Sequence, residues 1–220
     1  MTLQDQLKIM RDATVARMPG TIMKVFTDSI NTIKRNRLKE NALQLGETIP
    51  NIPLTNVQGL NIYLNSLIRS NYLILNFYRG GWCPYCNMEL REYEKLMYEF
   101  NEIGADLVAI SSEIPELAKQ TIGKNSILSY PVLTDNDALF MKAMGIVFRL
   151  DEASKREFVN FGMDFSKING NENYELPVPA VYVINKEMKI VFVHFEEDYM
   201  TRLEPKQLLT LLKKETISKI

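Results

Sequence analysis

FYRGGWCPYCNMEL, residues Phe77 to Leu90, holds both cysteines of the 220-residue chain, Cys83 and Cys86, two residues apart behind Trp82. Two thiols cannot build a disulfide framework, and a pair this close closes too small a loop to restrain much of the unfolded chain. A C-x-x-C pair in a chain without secretory features is more often redox-active or metal-binding. The flanking residues place the pair where a strand hands over to a helix. Gly80 and Gly81 permit a sharp exit from the apolar run Tyr72 to Tyr78, Cys83 suits the N-cap, and Pro84 suits the first helical position, where no amide hydrogen is needed. Cys86 then falls in the first turn. A helix amino terminus favours a thiolate and can lower a cysteine pKa from about 8.5 into roughly the 3.5 to 7.5 range. One cysteine can then attack a disulfide or peroxide, and the other can close the intermediate into an intramolecular disulfide.

Outward from this motif, short apolar runs alternate with helical patterns. Tyr72 to Tyr78, Ala105 to Ser111, Pro131 to Thr134, Ala180 to Ile184 and Lys189 to Phe195 read as buried strands. Leu90, Tyr93, Met97, Phe100 and Gly104 share one face of a single long helix after the cysteines, and Glu204 to Lys214 reads as a closing helix. This order predicts an α/β sandwich whose last two strands form a hairpin at Asn185-Lys186-Glu187. Asp151 to Glu175, polar and rich in Asn and Gly, reads as a long surface excursion. Before residue 40, Leu3, Leu7, Met10 and Met18, then Ile22, Phe26, Ile30 and Ile33, mark two amphipathic helices separated by Pro19-Gly20. The expected division is a helical arm over 1–45 and a main domain over 46–220. The arm's apolar stripes need a surface, either on that domain or on a second copy in a homodimer.

Composition narrows the partners. Lys plus Arg number 26 and Asp plus Glu 27, a net charge of -1, so no strong field favours nucleic acid or an anionic membrane. The first twenty residues mix charged and apolar side chains without a continuous apolar core, which predicts neither a signal peptide nor a spanning helix and leaves the cytoplasm as the expected location.

FYRGGWCPYC, with PVLTDNDALFMKAMGIVFRL and PVPAVYVINKEMKIVFVHFEEDYMTRLEP downstream, resembles the peroxiredoxin-like branch of the alkyl hydroperoxide reductase and thiol-specific antioxidant family. The resemblance covers roughly Gly46 to the end, and the helical arm is similar to that branch as well. It implies a thioredoxin-like fold, a central mixed sheet flanked by helices, and Cys83-Pro84-Tyr85-Cys86 matches the glutaredoxin motif letter for letter. The chain departs from the peroxiredoxin pattern P-x-x-x-T-x-x-C. With the peroxidatic cysteine laid on Cys86, Arg79 stands where proline belongs and Cys83 where threonine belongs, and the family's late arginine falls near Pro179. Laying the thioredoxin pair on this one instead makes Cys83 the attacking thiol and Cys86 the resolving thiol.

The neighbours suggest supporting roles. Arg79 can supply positive charge to a thiolate or be a surface arginine, and Trp82 can shield the sulfurs or simply pack. Glu89 can orient or accept a proton, or merely complement the helix dipole. Asn76 replaces the acid that thioredoxins bury beneath their pair, which suggests a weaker built-in proton acceptor. The fold resemblance also implies a cis Val178-Pro179 bond facing the cysteines. His194, the sole histidine, lies in an alternating strand and reads as structural. Two cysteines and one histidine fall short of a four-ligand zinc site, so no metal or other cofactor is expected, a shared site between two copies being the alternative. The expected activity is hydroperoxide reduction through Cys83 and Cys86, renewed by a thioredoxin- or glutathione-type reductant. Thiol:disulfide exchange on protein or glutathione disulfides is the second expectation, and non-catalytic binding the third.

Overall fold

The computed structural model describes residues 1–124 and 128–217, with side chains of the last helix through residue 214. The strands are β1 (Leu54–Asn56), β2 (Asn61–Ile62), β3 (Tyr72–Phe77), β4 (Ala105–Ser111), β5 (Val132–Thr134), β6 (Val147–Arg149), β7 (Glu175–Pro177), β8 (Ala180–Asn185) and β9 (Ile190–Phe195). The helices are α1 (Leu3–Arg17), α2 (Gly20–Arg35), α3 (Leu38–Asn41), α4 (Pro84–Glu94), α5 (Met97–Glu102), α6 (Pro115–Lys124), α7 (Leu139–Ala143), α8 (Glu152–Asn160), α9 (Phe165–Asn169) and α10 (Pro205–Ile217).

Seven strands form one mixed sheet in the order β2-β1-β5-β4-β3-β8-β9. β3 lies inside it next to the central β4, parallel to β4 and antiparallel to β8, with Phe77 opposite both Ile110 and Ala180. Strands covered on both faces must be apolar on both, and β3 and β4 are buried along their whole lengths. The pleat sends Tyr72 and Ile74 to the face that carries Cys83, Cys86, Leu90, Tyr93 and Phe100. Leu73, Leu75 and Phe77 go to the opposite core with Val108, Phe140 and Tyr182. β8 and β9 form the expected antiparallel hairpin, its turn held by Asn185 Oδ1, which accepts from the amides of Glu187 and Lys189.

Three expectations are corrected. The helix after the cysteines is broken at Lys95 and Leu96 into α4 and α5, although Tyr93, Met97 and Phe100 stay in one core. The segment 151–175 lies largely at the surface as expected, but it is ordered into two helices rather than irregular. Asp151 and Asp164 cap α8 and α9 by accepting from the amides of Ser154 and Ser166, and β7 pairs with β6 in a second small sheet. A few aromatic residues decide its placement, because Phe158, Phe165 and Leu176 are buried with Phe26 and Leu150 despite the polar composition around them. Lastly, no peptide bond among the described residues is cis, so Val178-Pro179 is trans. The Val178 amide donates to the Ile146 carbonyl at 2.8 Å, extending the β6-β7 ladder, and two residues carry the chain directly into β8 with no tight reversal to recruit a cis bond.

The arm packs on its own chain. Leu3 and Leu7 of α1 are buried in the same core as the cysteines, and Gln6 donates to Glu92 of α4 at 2.7 Å. Phe26 of α2 stacks against Phe158 of α8, ring centroids 5.1 Å apart. Thr2 and Asp5 form a capping box at the start of α1, and the Leu3 amide donates to Glu204 Oε2 at 3.0 Å, which fixes the arm to the start of α10. Among the described residues no helix is long and apolar enough to cross a membrane.

Candidate active site

The chain leaves β3 through Tyr78 and Arg79 and turns at Gly80, whose φ of +144° lies in the region that favours glycine. A Cβ there would collide with the Trp82 indole, and one at Gly81 with Thr121 Oγ1. Close approach therefore requires both glycines, and backbone freedom requires Gly80 as well. Cys83 is the N-cap of α4, its amide donating to the Gly80 carbonyl at 3.0 Å, and Pro84 opens the helix with no amide left unpaired. Both thiols are free, and both are buried, 1% and 0% exposed.

Two arginines flank the pair. Arg79, 4% exposed, lies with its guanidinium carbon 4.6 Å from the Trp82 ring centre and 4.1 Å from that of Tyr199. Arg202, from the segment between β9 and α10, donates through Nη2 to Cys86 Sγ at 3.1 Å and through Nε to Glu89 Oε2 at 2.6 Å. Its Nη1 donates to the carbonyls of Tyr199 and Thr201. A buried guanidinium is tolerable only with its donors satisfied, and this one is held by a carboxylate, a sulfur and two carbonyls.

The thiols titrate as one unit. Burial pushes both up. For Cys83 this is outweighed by a hydrogen bond from Cys86 and by the positive charges of Arg79 and Arg202, so its pKa lies below the usual thiol range. Cys86 is driven well above it by burial and by the charge on Cys83. Only one thiolate forms readily, and its charge rests on Cys83. Glu89, on α4, is pushed up to about 7 by burial, against the pull of Arg202. A second buried carboxylate, Glu113, follows β4. Its Oε2 accepts from the Gly81 amide at 3.0 Å, and burial raises it to about 7 with the Cys86 charge adding to the shift.

Of the residues expected at the site, Arg79, Trp82, Cys83, Pro84, Tyr85, Cys86 and Glu89 come together. Trp82 packs edge-on against Phe158 and Phe165, so its indole is part of a core. The ring of Tyr85 meets Tyr199 edge-on, centroids 5.8 Å apart. Pro179 lies in the link between β7 and β8 and is trans. His194 sits on β9 opposite Val181, with Nε2 unpaired and its pKa lowered by burial, and takes no part in the hydrogen bonds that hold the thiols. Sequence reasoning missed Arg202, Glu113 and Tyr199. Arg202 carried no local signal, being one charge in a polar link. Glu113 had one, since residues just beyond the carboxyl end of a central strand next to β3 project toward the place where α/β folds gather their chemistry. Among the described residues no three His, Cys, Asp or Glu side chains gather as metal ligands.

Residues 45–193 match the AhpC/TSA family. The chain belongs to that family. Among curated relatives of this AhpC/TSA protein, the thiol-disulfide oxidoreductase ResA of Bacillus thuringiensis subsp. konkukian is 27% identical over 109 residues, 50% of this chain and 62% of that one. The 1-Cys peroxiredoxin PER1 of Hordeum vulgare is 27% identical over 111 residues, 48% of this chain and 50% of its own. The chain thus spans between half and two thirds of the length of these relatives. In structure it is similar to peroxidoxin BcpB from Mycobacterium tuberculosis, with a TM-score of 0.63 at 20% identity, covering 78% of this chain and 97% of that one. At that identity the likeness speaks for the fold, the thioredoxin-like α/β arrangement of peroxiredoxins.

Proposed function

We propose that this AhpC/TSA protein is a thiol oxidoreductase that reduces hydroperoxides through a Cys83-Cys86 dithiol/disulfide cycle. The observation that carries the reading is a pair of buried free thiols at a helix start, flanked by two buried arginines. The Cys83 thiolate attacks the terminal peroxide oxygen, an S–O bond forms as the O–O bond breaks, and the departing alkoxide takes a proton to leave as alcohol. Cys86 then loses its proton and attacks the sulfenic sulfur, the S–S bond forms, and hydroxide leaves as water. Glu113 and Glu89, both poised near neutrality, are the groups placed to take the Cys86 proton, which supplies the acceptor that Asn76 does not.

A thioredoxin- or glutathione-type dithiol or thiol of the cytoplasm returns the disulfide to the reduced pair. Arm and domain, 1–45 and 46–220, act as one unit in this reading, because α1 covers the helix that carries the cysteines. Serine variants test it. Cys86→Ser should leave a sulfenic acid trapped on Cys83 after one equivalent of peroxide, and Cys83→Ser should abolish turnover. The reverse pattern would move the attacking role to Cys86 and Arg202.

A second reading, thiol:disulfide exchange on protein or glutathione disulfides, is favoured by the placement of Cys83 at the N-cap, where the dipole assists the first cysteine of a C-x-x-C pair. Peroxide consumption measured against reduction of a disulfide substrate under the same reductant decides between them. A Cys86→Ser protein that traps a mixed disulfide but never a sulfenic acid would establish the second.

A further inference from the structure

Arg79 is a buried cation held in an unusual way. Among the described residues it enters no ion pair, and its Nε has no hydrogen-bond partner. Three rings surround it instead: Tyr199 at 4.1 Å, Trp82 at 4.6 Å and Phe158 at 5.7 Å from the guanidinium carbon. Two of the three rings come from distant parts of the chain. Trp82 precedes Cys83, Phe158 belongs to α8 in the segment 151–175, and Tyr199 follows β9. They also brace one another and the motif, Trp82 against Phe158 with centroids 5.6 Å apart, and Tyr199 against Tyr85 between the two cysteines.

An aromatic face attracts a guanidinium through its quadrupole without neutralising it. A carboxylate in the same place would pair with the charge and cancel most of its field at a distance. We propose that Tyr199, Phe158 and Trp82 form a cage that positions the uncompensated Arg79 guanidinium at the Cys83 end of α4, making Tyr199 and Phe158 positioning residues for the attacking thiolate. The proposal rests on the reading that Cys83 attacks. It also gives the segment 151–175 a role in the chemistry, since α8 closes one side of the cage.

The other groups that bear on Cys83 are Cys86 and Arg202, while the Cys83 charge in turn raises Tyr85 and Tyr199, on both of which Asp198 also acts. Arg11 acts on Tyr85, and Glu89 and Glu113 act through Cys86. None of these is removed by taking away the rings of Tyr199 or Phe158 except the Tyr199 hydroxyl, which a phenylalanine controls for.

Site-resolved iodoacetamide labelling of the full-length reduced protein across pH, read by peptide mass spectrometry, reports the ionisation midpoint of each cysteine separately. Tyr199→Leu and Phe158→Leu should each raise the Cys83 midpoint, the closer Tyr199 ring by about one pH unit, while Tyr199→Phe leaves it in place. In an Arg79→Met background the Tyr199→Leu substitution should add nothing further, because the ring acts through the guanidinium. Circular dichroism confirms that each variant is folded, and Phe158→Leu serves if Tyr199→Leu is not. An unchanged Cys83 midpoint in both folded leucine variants overturns the cage, as does a shift of equal size with and without Arg79. If Cys86 instead carries the lower midpoint in the unaltered protein, the attacking-thiol reading fails first, and that result is distinct from a low Cys83 midpoint that the rings do not move.

Discussion

Cys83 and Cys86 stand one helical turn apart, yet the two sides of the molecule that face them are built from opposite materials. On the Cys83 side the cation, Arg79, is surrounded by rings. On the Cys86 side the cation, Arg202, is bound by a carboxylate and two carbonyls, as well as by the sulfur. The difference explains an arrangement that at first looks inverted, in which the arginine touching a sulfur touches the thiol that ionises second. Burial and the charge on Cys83 hold Cys86 up despite its contact with Arg202, whereas Cys83 is lowered by the hydrogen bond from Cys86 and by both arginines, and the rings around Arg79 leave its charge whole. Contact fixes geometry on one side, and an unpaired charge fixes ionisation on the other.

Removing each arginine in turn should separate these two roles. Arg202→Met strands a buried Glu89 and two carbonyls, and should cost about 3 to 5 kcal/mol of stability in urea unfolding at pH above the Glu89 titration. A loss below about 1 kcal/mol would mean that the ion pair is not the fixed part of the site. Adding Glu89→Gln to Arg202→Met should return part of the loss, because the stranded charge is gone.

Arg79→Met orphans no carboxylate, so its effect on stability should stay within about 2 kcal/mol, the scale of the ring contacts themselves. Its effect on chemistry should be larger, a Cys83 midpoint raised by about one pH unit from about 6 and peroxide reduction at about pH 6 slowed several-fold. Stopped-flow measurement of the first turnover checks this, and a variant as fast as the unaltered protein would place the activating charge elsewhere.

The smallest effect concerns the two carboxylates. Glu113 and Glu89 titrate at about 7 in the folded chain against an ordinary value of 4.5. The folded state therefore keeps protons that the unfolded state has released, and each group makes stability fall as pH rises between about 4.5 and 7. Glu113→Gln should flatten the pH dependence of Tm across that window and raise stability at pH 8 relative to pH 5, when each is compared with the unaltered protein. A parallel pH profile would show that Glu113 titrates normally. In the same variant, closure of the Cys83-Cys86 disulfide should slow while the first attack is unaffected, since Glu113 bears on Cys86.

Much of this site was legible along the chain. The glycines, the N-cap cysteine and the proline after it are local necessities of a strand turning into a helix, and β4 and β8 were legible because doubly covered strands must be apolar throughout. The break between α4 and α5 was hidden, because the apolar stripe continues across it and the same core receives both halves. The ordered character of 151–175 was hidden as well. Composition averages over a segment, while burial of Phe158 and Phe165 depends on single side chains meeting Trp82 and Phe26.

The sequence by itself determined where the two thiols stand and on what kind of element they sit, since spacing within a helical turn and strand periodicity are properties of neighbours in the chain. Only the tertiary structure decided how those atoms are charged. The cation on Cys86 comes from 116 residues downstream, the carboxylate on the Gly81 amide from 32 residues downstream, and two of the rings around Arg79, those of Phe158 and Tyr199, from distant parts of the chain. Electrostatic influence runs through space and grows as water is excluded, so beside Arg79 of the motif itself the ionisation of this pair is set by groups that no local pattern in the sequence connects to it.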